Sequence, residues 1–151
     1  MTIPTDPMAG RVAVVTGGGA GIGRAIALAL AEQGAAVAIA DIIPERCEET
    51  AARARELGVN ALPCPVDARD VEAVRTMFDG IRDHFGRLDI LVNNAGGVVP
   101  KPFAEQSELA WRRIIDLNLV TMLGATSAAT PLMIAGGRGG AIINITSIEA
   151  F

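Results

Sequence analysis

The 151-residue chain has no tyrosine, one histidine, one tryptophan, one lysine and two cysteines. Each shortage removes a class of chemistry. No phenol is available as a proton donor whose pKa, ordinarily about 10, a nearby cation could lower. The single histidine, His84, stands in "RDHFG" with no partner pattern, and reads as a surface residue rather than a ligand. Cys47 and Cys64 are seventeen positions apart, with no CxxC pair and no histidine nearby, so the spacing of a metal site is missing. Two reduced thiols in a cytoplasmic protein are expected. Lys101 is the only lysine and the arginines are scattered, so no basic stripe forms. With a net charge of −4 and a pI near 5.0, the chain is not expected to bind nucleic acid. The first residues show no basic region followed by an apolar stretch, and no signal peptide is expected.

What is abundant is apolar surface. Half of the residues are hydrophobic, one fifth are charged, and the mean hydropathy is +0.38. Such a chain is not disordered, and its length suits a single domain. The composition fits parallel strands buried on both faces. Residues 117–137 carry no charge, a length that could span a bilayer. The stretch also holds Asn118, Thr121, Thr126, Ser127, Thr130 and Pro131. It is read as a helix buried against a sheet, with no membrane partner.

Strand-like and helix-like segments alternate strictly. Strands are expected at 11–17, 35–41, 59–67, 88–96 and 139–147, the third weakened and ended by its two prolines. Helices are expected at 21–34, 44–58 and 69–86. A loop at 97–106 then leads to a long helix capped by Ser107, on which Trp111 is expected to pack in the core. Alternation of this kind makes βαβ units with parallel pairing and right-handed crossovers. The expected fold class is α/β, a doubly wound parallel sheet with its ligand off the carboxyl ends of the strands.

The loop "TGGGAGIG" (16–23) joins the first strand to the first helix. Glycines let backbone N–H groups approach an anion, and the helix N-terminus adds a favourable dipole. A nucleotide-triphosphate loop is ruled out, because Arg24 and Ala25 stand where a Lys and a hydroxyl are needed. The pattern GxGxxG also breaks at Arg24. TGxxxGxG does fit, through Thr16, Gly17, Gly21 and Gly23. Asp41 closes the second strand, where a carboxylate accepts hydrogen bonds from the adenosine ribose and repels a 2′-phosphate. No basic residue stands at position 20 or 42 to compensate a phosphate. NAD is therefore expected, rather than NADP.

These residues resemble the short-chain dehydrogenase/reductase family, and the likeness runs along the whole chain. Its motifs are the loop from Thr16 to Gly23, Asp41, "VDA" with Asp67, "NNAG" (93–96), "DLNL" with Asn118, and "INITS" ending at Ser147. The resemblance implies a Rossmann-like domain over residues 1–151, incomplete and truncated after its fifth strand. It implies a cofactor-binding set of Thr16, Gly17, Gly19, Gly21, Ile22, Gly23, Asp41, Asp67, Asn94, Ala95 and Gly96, in which Asp67 meets the adenine. It implies catalytic roles for Ser147, which polarises a substrate oxygen, and Asn118, which holds a relay water. Each motif also has a plainer reading. Asn93 and Asn94 could cap strand ends, Asn118 could bond a backbone carbonyl, and Ser147 could be a turn residue.

In that family hydride passes between the nicotinamide and an alcohol or carbonyl substrate, with a Tyr and a Lys from a YxxxK motif on the helix after the fifth strand. This chain has no Tyr, and Lys101 lies upstream of Ser147. Negligible turnover is expected from the 151 residues alone. The resemblance implies a complete domain of roughly 250 residues, acting as a homo-oligomer. The chain is then a fragment whose fifth strand is a free edge beside a bare helix face. Two other readings stay open: a non-catalytic NAD-binding remnant, and an interaction fragment that pairs with another subunit.

Overall fold

The computed structural model describes residues 6–98 and 100–147, so expectations that fall on the first five residues, Val99 and Phe151 lie outside it. Five strands form one parallel sheet. They are β1 (Val12–Thr16), β2 (Ala36–Asp41), β3 (Ala61–Pro65), β4 (Ile90–Asn93) and β5 (Ala141–Asn144), in spatial order β3-β2-β1-β4-β5. The chain winds outward from β1 in one direction and then returns to build the other half. The strand order therefore reverses between β1 and β4, at the place where doubly wound sheets hold ligands.

The helices cover both faces. On one side α1 (Gly21–Glu32) and α2 (Pro44–Glu56) press Ala27, Ala31, Ala51 and Ala54 against Ala13, Val15, Val37 and Ile39. Small side chains let these helices lie close to the sheet. On the other side α3 (Val71–Phe85) contributes Val74, Phe78 and Ile81. A long helix joins it there, made of α4 (Glu108–Ile115), a π-helical turn (Asp116–Val120) and α5 (Thr121–Ala135). Every residue of β1 is buried, as a strand covered on both faces must be.

Several expectations are refined. Pro63 does not interrupt β3, which ends at the second proline as expected: Pro63 pairs in register with Ile39, and Pro65 with Asp41. The reason is alternation. Val66 donates its N–H to the Asp41 carbonyl at 2.9 Å, so residues of even number face β2, and the two prolines turn their missing donors outward from an edge strand. Asp70 is a cap and not a helix residue, for its carboxylate accepts from the N–H groups of Glu72 and Ala73. Ser107 caps α4 as expected, accepting from the Ala110 N–H at 3.2 Å. Trp111 is half-buried outside both core clusters, with the Arg112 guanidinium 5.0 Å above its ring.

The charge-free stretch is helical but only one face of it is buried. Thr121, Gly124, Ala125, Ala129 and Met133 turn inward, while Leu119, Leu123 and Ile134 are exposed. The continuous helix from Glu108 to Ala135 is long and apolar enough to cross a membrane by length and composition, with 22% of its most apolar window buried. The residues of β5 are all exposed, with Ile142 and Ile143 among them.

Cys47 and Cys64 are free and buried. Cys64 packs among the residues under α3 and α5, whereas Cys47 lies on α2 over the opposite face. Burial pushes the Cys64 thiol up to about 12. His84 is exposed, with Nε2 3.3 Å from Asn60 Oδ1.

Candidate functional site

The site is assembled where β1 and β4 part. Thr16, the last residue of β1, is 5% exposed. Its Oγ1 accepts the backbone N–H groups of Asn94 and Ala95, both at 3.0 Å, and donates to the Val92 carbonyl at 3.4 Å. Asn94 answers from the other strand: its Nδ2 donates to the carbonyls of Thr16 at 3.0 Å and Gly17 at 3.2 Å. Asn94 is thus a bridge to the glycine loop, not a cap on its own strand. Thr16, Gly17, Asn94 and Ala95, each picked from sequence, form one cluster.

The glycines in the loop are required by close approach. A Cβ on Gly23 would stand 2.1 Å from the Gly17 carbonyl oxygen and 2.5 Å from Asn94 Nδ2. Gly17 and Gly21 have φ of +62° and +52°, a region costly for other residues. The residue before α1 is Ala20, whose side chain gives no cap to the first N–H groups of the helix. These donors, with open space beyond Gly21, fit the phosphates of a dinucleotide. Ile22 lies at the rim, 66% exposed.

Asp41 ends β2 beside this loop. Its Oδ2 accepts from the Gly19 N–H and its Oδ1 from the Ile43 N–H, each at 3.1 Å. The other end of the same glycine is held by Arg24, which donates to the Gly19 carbonyl through Nε at 2.9 Å and Nη2 at 2.5 Å. Arg24 also reaches Thr50 and pairs with Glu49. Sequence reading noticed Arg24 only because it broke two motifs. Thr50, fully buried on α2, was missed. Its signal was present: positions 46 and 50 are one helical turn apart and face the loop together.

Asp67 lies just beyond the end of β3, next to the end of β2. Its carboxylate is folded onto Arg69, with Arg69 Nη2 at 2.6 Å and Nε at 2.9 Å. These bonds hold its pKa below the ordinary carboxylate value.

Asn118 occupies the π-helical turn, a feature frequent at functional sites. Both N–H donors of its amide are engaged, and its oxygen accepts one bond. Oδ1 accepts from the Gly97 N–H at 3.0 Å, and Nδ2 donates to the carbonyls of Gly97 at 2.8 Å and Ile114 at 2.9 Å. A Cβ on Gly96 would meet Asn118 Oδ1 at 2.7 Å. The NNAG segment is therefore tied to β1 at one end and to the long helix at the other.

Asn93 was weighed as a strand cap, but it does something else. It is 6% exposed, and its Nδ2 donates to Asn144 Oδ1 at 2.9 Å and Thr126 Oγ1 at 3.1 Å. Its own Oδ1 is buried without a hydrogen-bond partner among the described residues. The Ile145 N–H donates to the Asn93 carbonyl at 2.9 Å. Together these contacts fix the end of β5, and Ser147 follows three residues past Asn144, exposed to solvent. Neither Asn144 nor Thr126 was marked by sequence, because each looked like an ordinary polar residue in an apolar run.

A parallel, doubly wound sheet with a glycine loop at its reversal point defines a Rossmann-type fold. The family model described as "short chain dehydrogenase" matches residues 11–151, and the chain belongs to that family of oxidoreductases. Cis-4-hydroxycyclohexanecarboxylate dehydrogenase of Sinomonas cyclohexanicum is 42% identical over 144 residues, a match covering 95% of this chain and 57% of that protein. The solved 7α-hydroxysteroid dehydrogenase complexed with NADH and 7-oxo glycochenodeoxycholic acid superposes with a TM-score of 0.92 at 34% identity, covering 99% of this chain and 58% of that one. Carveol dehydrogenase from Mycobacterium avium in complex with NAD gives 0.91 at 34% identity, covering 95% and 57%. The chain thus spans a little over half the length of these relatives.

Proposed function

We propose that this chain is the cofactor-binding portion of an NAD-dependent oxidoreductase that transfers hydride between the nicotinamide and a small alcohol or carbonyl substrate. The observation that carries the reading is the Gly19 N–H bond to Asp41 at 3.1 Å, which sets a carboxylate beside the glycine loop at the strand reversal. In this reading the uncapped first turn of α1 and the loop from Gly17 to Gly23 hold the pyrophosphate. Asp41 accepts the adenosine ribose hydroxyls and disfavours NADP. Asp67 borders the adenine, and Asn94, Ala95 and Gly96 support the middle of the cofactor. The bound nicotinamide supplies the hydride acceptor or donor.

Ser147 and Asn118 are the catalytic groups carried here. The Ser147 hydroxyl donates a hydrogen bond to the substrate oxygen, and Asn118 keeps the Gly96–Gly97 backbone in place and holds a relay water nearby. A proton donor of tyrosine type is not among the 151 residues, so the chain alone binds cofactor with negligible turnover. The complete protein acts as a cytoplasmic homo-oligomer, covering the apolar faces of β5 and the long helix. A second reading, in which the chain is a non-catalytic NAD-binding remnant or a fragment that pairs with another subunit, draws on the exposed apolar residues of β5 and the long helix.

The test is an NADH fluorescence titration of the 151-residue chain. Saturable binding in the micromolar to millimolar range is expected. No binding at millimolar NADH overturns the cofactor reading. Intact mass of the protein made from its own gene separates the two readings. A mass well above 15.6 kDa with an added Tyr-x-x-x-Lys supports the enzyme, and a mass equal to it supports the remnant.

A further inference from the structure

The adenosine side of the glycine loop carries a cation that no motif marks. A Cβ on Gly19 would fall 2.7 Å from the Arg46 Cβ and 2.8 Å from Asp41 Oδ2. Arg46 and Asp41 therefore crowd the same glycine, closely enough that a larger residue would displace one of them. Arg46 is in the first turn of α2, and the residue capping that helix, Ile43, donates its N–H to Asp41 Oδ1. The guanidinium of Arg46 is exposed and makes no hydrogen bond or ion pair among the described residues. Arg24, the other arginine at this loop, is committed to the Gly19 carbonyl, Thr50 and Glu49.

A carboxylate at this peptide and a guanidinium on a side chain whose Cβ lies beside it have opposite effects on a 2′-phosphate. The first repels it, and the second binds it, often through two hydrogen bonds. The positive end of α2 adds to the second effect. We propose that Arg46 is a latent phosphate-binding residue: rejection of NADP rests on the charge of Asp41, and once that charge is removed Arg46 captures the 2′-phosphate. The inference depends on the NAD reading above.

The experiment is a set of NADH and NADPH titrations, with 2′-AMP as competitor, on the 151-residue chain. The proteins are the wild type, Asp41→Asn, and Asp41→Asn combined with Arg46→Ala or Arg46→Lys. Asparagine retains one acceptor oxygen for the Gly19 and Ile43 amides; Asp41→Ser is the substitute if circular dichroism shows that Asp41→Asn fails to fold. Asp41→Asn is expected to gain about tenfold or more in NADPH affinity, with the gain shrinking as salt is added. Adding Arg46→Ala should abolish the gain, Arg46→Lys should keep part of it, and 2′-AMP should follow the same order. A gain that survives Arg46→Ala overturns the proposal, as does the absence of any gain in Asp41→Asn. Wild type that fails to bind NADH overturns the cofactor reading and this inference together. Wild type that binds NADH, with no Arg46 dependence in the variants, overturns this inference alone.

Discussion

Thr16 and Asn94 lock the ends of β1 and β4 together by reciprocal hydrogen bonds: the Thr16 hydroxyl accepts the Asn94 N–H at 3.0 Å, and the Asn94 amide donates to the Thr16 carbonyl at 3.0 Å. The glycine loop starts from that joint. Because Thr16 is buried, its loss leaves the amides of Asn94 and Ala95 without an acceptor. Thr16→Val keeps the shape and removes the oxygen. It should cost about 1–3 kcal/mol in urea unfolding, and weaken NADH binding several-fold. Thr16→Ser, which keeps the hydroxyl, should recover most of both. Equal NADH affinity in Thr16→Val and wild type would show that the joint does not shape the cofactor site.

Gly23 tests the same region by sterics. A methyl group there would overlap the Gly17 carbonyl at 2.1 Å, and the obstacle is backbone rather than a flexible side chain. Gly23→Ala must push α1 away from the loop. A loss of about 2–4 kcal/mol in stability is expected, the range of a severe overpacking, with NADH binding lost at millimolar concentration. Gly80→Ala serves as the control, since Gly80 has nothing within 4 Å of such a methyl and a helical φ. It should gain a few tenths of a kcal/mol or more from helix propensity.

The backbone plan was legible in the sequence because each strand is a short apolar run ended by residues of a different kind. "VAVVT" and "AVAIAD" announce both the strand and its carboxyl end, and with them the place of Thr16 and Asp41. What escaped were relations that depend on strand order. β1 and β4 are neighbours although residues 16 and 94 are far apart in sequence, so the bond between them leaves no local pattern. The same holds for Asn93 and Asn144. Asp89 went unnoticed for another reason: an acid beside an apolar run looks like a boundary, and only burial reveals that it is a structural ion. Pro65 does end β3, but Pro63 sits inside it, because the effect of a proline depends on whether the strand is central or at an edge.

Asp89 predicts a pH dependence. Its side chain is 1% exposed and receives bonds from Arg87 at 2.5 Å, the Val12 N–H at 2.9 Å and Arg11 at 3.1 Å. Burial acts against its charge, but these bonds outweigh it and hold the pKa at about 2. The unfolded value is about 3.9. A folded pKa below the unfolded one gives stability that is complete above the unfolded value and is lost as pH falls toward the folded one. The contribution is about 2–3 kcal/mol, shed between about pH 4 and pH 2. Asp89→Asn should lose at least that much at pH 7, because two arginines and a backbone amide lose their charged partner. Its stability should also be flatter than that of wild type across the acid window. Parallel slopes for the two proteins there would assign the acid sensitivity to other carboxylates.

The exposed apolar faces lead to the last expectation. Leu119, Leu123 and Ile134 lie on the outer side of the long helix, and Ile142, Ile143 and Ile145 lie on or next to β5, at the sheet edge. Contiguous apolar surface of this kind is normally covered by another surface, and an unpaired strand invites pairing. The 151-residue chain should therefore self-associate as its concentration rises, seen as increasing mass in size-exclusion chromatography with light scattering. Leu119→Glu combined with Leu123→Glu places charge on the helix face without touching the core, and should shift the distribution toward monomer with little change in thermal stability. If the variant associates as wild type does, contact runs through β5 instead, and Ile142→Lys should then disperse it. A wild-type chain that stays monomeric at high concentration would mean that the described surface is soluble as it stands, and would count against both the oligomer and the pairing-fragment readings.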